Sequence, residues 1–95
     1  MARRRFLIAY DIADPKRLRR VIKIMEGAGQ RLQYSVFLCD LSGVELAEWD
    51  ARMRSVVELH EDSIVRIDLG GTEAPARVWT MGTPRALPSS GPLIV

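Results

Sequence analysis

The sequence predicts a small α/β sandwich, one β-layer carrying two helices on a single face. Three observations carry that expectation. Two helix-period stripes, each opened by a capping signal, alternate with runs of β-forming residues. No internal repeat is visible. The strands hold apolar residues on both of their faces, whereas two helices cover only one face of a four-stranded sheet. The uncovered face needs a partner, and a second copy of the chain is the simplest candidate.

Phe6-Leu7-Ile8-Ala9-Tyr10, bounded by arginines and by Asp11, reads as a buried strand. Asp14-Pro15 opens a helix over 15–28, with Asp14 as its cap and Pro15 suited to the first helical position. Leu18, Val21, Ile22 and Met25 form its core stripe, and Gly27-Ala28-Gly29 stops it. Residues 30–41 have the periodicity of one long strand, because no Gly, Pro or Asn-Gly interrupts them. Ser42-Gly43-Val44-Glu45 is a capping-box sequence. It opens a second helix with Leu46, Trp49, Met53, Val56 and Leu59 on its inner side, ending near His60. Asp62-Ser63 leads into a strand over 64–69, Gly70-Gly71 is a turn, and Arg77–Met81 is a further strand. Thr83 to Pro92, rich in Pro, Ser and Gly, should be irregular, and Leu93-Ile94-Val95 is an apolar end suited to adding to a neighbour's sheet edge. The expected organisation is one domain over 1–82 and a tail over 83–95.

At 95 residues a lone core is marginal, and oligomerisation is one way to bury more surface. No apolar run approaches the ~18 residues of a membrane span, and the apolar stretch after Arg5 meets Asp11 too soon for a signal peptide. A single cysteine, Cys39, forms no internal disulfide, so the expected compartment is the cytoplasm. The net charge of +2 conceals an asymmetry: residues 1–31 hold nine of the 14 Lys and Arg but three of the 12 acids. A polyanion is the partner such a segment would attract.

Two features carry chemistry. Asp11 is a carboxylate ending an apolar strand, a position suited either to capping the following loop or to binding Mg²⁺, which takes one or two such oxygens together with waters and phosphate. The helix over 15–28 presents Lys16, Arg17, Arg19, Arg20 and Lys23, a solvated face or a phosphate-binding one. His60 at a helix end reads as structural or exposed, and Cys39 as a small packed hydrophobe. Trp49 and Met53 read as core, and Trp79 as interface.

Tyr10-Asp11-Ile12, Lys16-Arg17-Leu18, Gln33-Tyr34-Ser35-Val36-Phe37 and Asp62-Ser63-Ile64 together resemble the small core CRISPR-associated protein of spacer acquisition, companion of the spacer integrase, over residues 5–81. The resemblance implies an α+β, ferredoxin-like βαββαβ sandwich that dimerises face to face, its C-terminal strand exchanged in the homodimer. It implies that residues 30–41 split into two strands around Tyr34-Ser35. It also implies a metal-dependent endonuclease, acting on single-stranded RNA or on double-stranded DNA, with Asp11 as catalytic and metal-binding residue for Mg²⁺ between protomers. Tyr10, Arg17, Arg20, Arg31, Ser35 and Phe37 become the candidates for contact with spacer DNA or RNA. The chain departs from the family pattern in having Leu38-Cys39-Asp40 where an acid often follows the Phe directly.

Two functions compete: a dimeric Mg²⁺-dependent endonuclease of antiviral defence, and a non-catalytic scaffold that bridges integrase subunits and holds DNA on its basic face. An RNA-recognition domain of related topology needs exposed aromatics on its central strands, and Ile64–Leu69 has none.

Overall fold

A computed structural model describes residues 2–82. Six elements follow one another: β1 (Arg4–Asp11), α1 (Pro15–Ala28), β2 (Gln30–Gln33), β3 (Val36–Leu41), α2 (Gly43–Val56) and β4 (Ser63–Gly71). The strands form one antiparallel sheet in the order β2-β3-β1-β4, two interleaved βαβ units that make a ferredoxin-like βαββαβ fold.

Local chemistry sets the helix ends. The Asp14 carboxylate accepts the Arg17 amide at 2.9 Å, capping α1 where Pro15 needs no amide bond. At α2 the Ser42 hydroxyl accepts the Glu45 amide and the Glu45 carboxylate accepts the Ser42 amide, a complete capping box. After α1 the chain passes so close to β3 that a Cβ at Gly29 would collide with the Leu38 carbonyl and the Cys39 sulfur. Only glycine allows that approach.

Both helices pack on one face of the sheet. Phe6, Ile8 and Tyr10 of β1 and Phe37, Cys39 and Leu41 of β3 meet Val21 and Met25 of α1 and Trp49 and Met53 of α2 in a single core. The Trp49 indole N–H donates to the Met25 sulfur across the two helices. Arg66 of β4 lies over the rings of Phe6 and Trp49, closing the side of that core. The opposite face bears Leu7 and Ala9 of β1 with their partners Leu38, Val36, Ile67 and Val65, and no helix among the described residues covers it. Val65, Ile67 and Leu69 stay exposed there. Residues 74–79 cross part of this face, held by an Arg5 guanidinium N–H donating to the Ala74 carbonyl at 2.7 Å.

Four expectations change. Gly70-Gly71, expected as a turn, are the last two residues of β4, paired with Arg5 and Arg4 of β1 past a bulge. Residues 30–41 are two strands, as the resemblance implied, with Tyr34-Ser35 as the turn. The turn needs no Gly because the Ser35 carbonyl accepts the Tyr10 amide at 3.1 Å. The second helix ends at Val56, four residues before His60, and Leu59 is exposed in the following turn. The amides of Glu61 and Asp62 fold back onto the Glu58 carbonyl and end it. Arg77–Met81 is not a strand: a lone bridge marks Arg77, and Trp79 and Met81 are exposed, because within one chain little sheet edge faces them. The tail over 83–95, with Leu93-Ile94-Val95, lies outside the described residues. Among the described residues no helix is long and apolar enough to cross a membrane.

Candidate nucleic-acid interface

Asp11 is exposed at the end of β1, its backbone paired with Ser63 of β4. Side chains alternate along a strand, so Asp11 shares the uncovered face with Leu7 and Ala9, while Tyr10 shares the core face with Phe6 and Ile8. Among the described residues no ion pair engages the Asp11 carboxylate.

Tyr10 and Phe37, expected beside nucleic acid, are core residues with 5% and 1% exposure, their rings stacked at 6.2 Å. Strand alternation is the reason, since both are in phase with the buried residues of their strands. Their contribution is to carry others. The Tyr10 hydroxyl donates to the Tyr34 carbonyl, and the Arg31 guanidinium lies 5.2 Å from the Phe37 ring centre and 5.7 Å from that of Tyr34. The Arg31 Nε and Nη2 are buried with no hydrogen-bond partner among the described residues. Burial pushes the Tyr10 phenol above its ordinary value, against the pull of the Arg31 charge. Ser35 is half-buried in the turn beside this group.

Arg20 is exposed on α1 with Lys16, Arg19 and Lys23. Arg17 differs. Its Nε donates to Asp62 at 2.9 Å, and its Nη2 to Glu61 at 2.7 Å and to Asp62 at 3.1 Å. Asp62, with its side chain 1% exposed, also accepts the amides of Ala13 and Glu58. Hydrogen bonds from Arg17, aided by those two amides, hold the Asp62 carboxyl well below the usual carboxylate range. From the sequence, Asp62 is only a turn residue that opens a strand. Its one signal there is a place in a motif, because its partners Ala13 and Arg17 lie more than 40 residues away.

The site residues thus fall into three groups. Asp11 lies on the open sheet face, Arg31 and Ser35 lie around the β2–β3 turn with Tyr10 and Phe37 beneath them, and Arg20 lies on the basic helix. Cys39 is buried, and burial pushes its thiol up to about 12, so it is inert packing. Among the described residues no three His, Cys, Asp or Glu gather as a metal cluster. The exposed Asp11 carboxylate is of the donor type that Mg²⁺ takes, which binds one or two such oxygens together with waters and phosphate.

A family model described as CRISPR associated protein Cas2 matches residues 4–74. The chain belongs to the Cas2 family. Its relatives include the CRISPR-associated endoribonuclease Cas2 3 of Synechocystis sp., 38% identical over 91 residues that cover 95% of this chain and 97% of that one. The CRISPR-associated endoribonuclease Cas2 1 of Rhodospirillum rubrum is 43% identical over 68 residues, covering 72% of this chain and 67% of that one. Among solved structures, Streptococcus pyogenes Cas2 at pH 6.5 superposes with a TM-score of 0.71 at 35% identity, covering 82% of this chain and 99% of that chain. The Cas2 match ends at residue 74, short of the Arg77–Met81 segment that forms no strand here.

Proposed function

We propose that this Cas2-family chain acts as a homodimer that cleaves nucleic acid with Mg²⁺, each protomer contributing Asp11 to a shared site. The observation that carries the reading is the place of Asp11: exposed, and on the same uncovered apolar face as Leu7 and Ala9. A second copy seated on that face brings two such carboxylates toward one another, where like charges call for a cation. Relatives named as endoribonucleases support the reading.

Bound there, Mg²⁺ would polarise a phosphodiester and lower the pKa of a water. The residues of the chain do the rest. Arg20, Arg31 and Ser35 hold the backbone of spacer DNA or RNA without reading its sequence, and Tyr10 and Phe37 hold Arg31 in place. Replacing Asp11 by Asn should abolish Mg²⁺-dependent cleavage of a labelled single-stranded RNA while leaving the dimer intact. Full cleavage by that variant would refute the catalytic reading.

The second reading is a scaffold that bridges subunits of the spacer integrase and holds DNA. One observation favours it: among the described residues no three His, Cys, Asp or Glu gather around Asp11 to hold a metal within one chain. Unchanged spacer uptake with Asp11→Asn, alongside lost cleavage, would select it.

A further inference from the structure

Among the described residues, Asp62 is the one nearly buried carboxylate in an ion pair, and it accepts four hydrogen bonds that converge from three places. The Ala13 amide comes from the loop immediately after Asp11, Arg17 from the first turns of α1, and the Glu58 amide from the connection after α2. Glu61 accepts from the same Nη2, so Nη1 alone has no hydrogen-bond partner among the described residues. The bidentate geometry uses the planar fork that distinguishes arginine from lysine. Asp14 accepts the amide of Arg17 itself, so the segment 12–14 is tied at both ends.

Such a guanidinium has only Nη1 left for a phosphate, and no net charge to offer it. Two carboxylates neutralise it and take Nε and Nη2, whereas Arg20 three residues on stands exposed. Freeing Arg17 for nucleic acid would leave the Asp62 charge buried beside two amides, a costly arrangement.

We propose that Arg17 and Asp62 form a clamp that sets the path of the chain after Asp11, making Arg17 a positioning residue and not a phosphate-contacting one. The proposal rests on the reading of Asp11 and the basic helix given above, and it is tested in two arms that separate the two ideas.

In the first arm, amide hydrogen exchange is measured on the full chain without nucleic acid. Arg17→Gln, Arg17→Lys and Asp62→Ala should each accelerate exchange at Ala13 at least about fivefold relative to the Leu46 amide at the capped start of α2. Lysine fails to rescue because it lacks the fork. Should Asp62→Ala fail to fold, the two Arg17 variants decide. An Ala13 rate unchanged in them overturns the clamp. In the second arm, affinity for a labelled duplex DNA is measured against salt. Arg20→Gln should reduce the slope of log K on log[salt] by about 0.9 for each phosphate that Arg20 neutralises, while Arg17→Gln stays within ~0.3 of wild type. A reduction with Arg17→Gln equal to that with Arg20→Gln overturns the positioning role. If the wild-type chain binds no DNA at any salt, the nucleic-acid reading falls and exchange at Ala13 alone judges the clamp.

Discussion

The two faces of the sheet are built from the same strands yet are opposite in completeness. On the helix side, Phe6, Ile8 and Tyr10 alternate inward and are buried under Val21, Met25, Trp49 and Met53. On the other side, Leu7 and Ala9 alternate outward beside Val65 and Ile67, and Ile67 keeps 47% of its surface in water. Segment 74–79 crosses only part of that face. One face is finished within a chain, and the other is an apolar surface carrying a carboxylate at its end. The difference teaches where function sits. A carboxylate placed on the finished face would be a buried charge, whereas Asp11 on the open face stays solvated.

The same substitution on the two faces should break the comparison most visibly. Ile8→Ala removes a fully buried side chain and should cost about 2–5 kcal/mol in urea unfolding. Ile67→Ala, measured at dilutions where chains are single, should cost within about 0.5 kcal/mol. Equal losses would mean that the open face is already packed within one chain.

An acid titration sharpens the contrast from the side of the finished scaffold, through its nearly buried carboxylate Asp62. The folded-state pKa of Asp62 is depressed, chiefly by Arg17, so its stabilisation is present above the unfolded value near ~3.9 and is lost as pH falls below it. Asp62→Asn should therefore flatten the fall of stability with acid below about pH 4, as followed by circular dichroism. The smallest effect is local: Ser42→Ala opens the capping box of α2 and should cost about 1 kcal/mol in the same urea experiment, with the dimer unaffected.

Much of this was legible because it is local. Asp14-Pro15 and Ser42–Glu45 marked both helix starts, and the excess of strand faces over helices pointed to an uncovered side. What depends on distant partners was not legible. The Tyr34-Ser35 turn is held by Tyr10 and carries no Gly, Pro or Asn of its own, so only the motif resemblance located it. The end of α2 depends on Glu58, Glu61 and Asp62 folding back, with no Gly or Pro to announce it. Arg77–Met81 has strand composition, but composition does not supply a sheet edge. Tyr10 and Phe37 could have been assigned to the core from alternation with Ile8 and Cys39, whereas the ties from Asp62 to Ala13 and Arg17 follow only from the fold.

The most direct test of the account is the mass of the chain in solution, followed by light scattering over a dilution series. It predicts twice the 10.7 kDa chain mass for the wild type, and the mass of one chain for Ile67→Asp at unchanged circular dichroism. A wild-type mass of one chain at every concentration would contradict it.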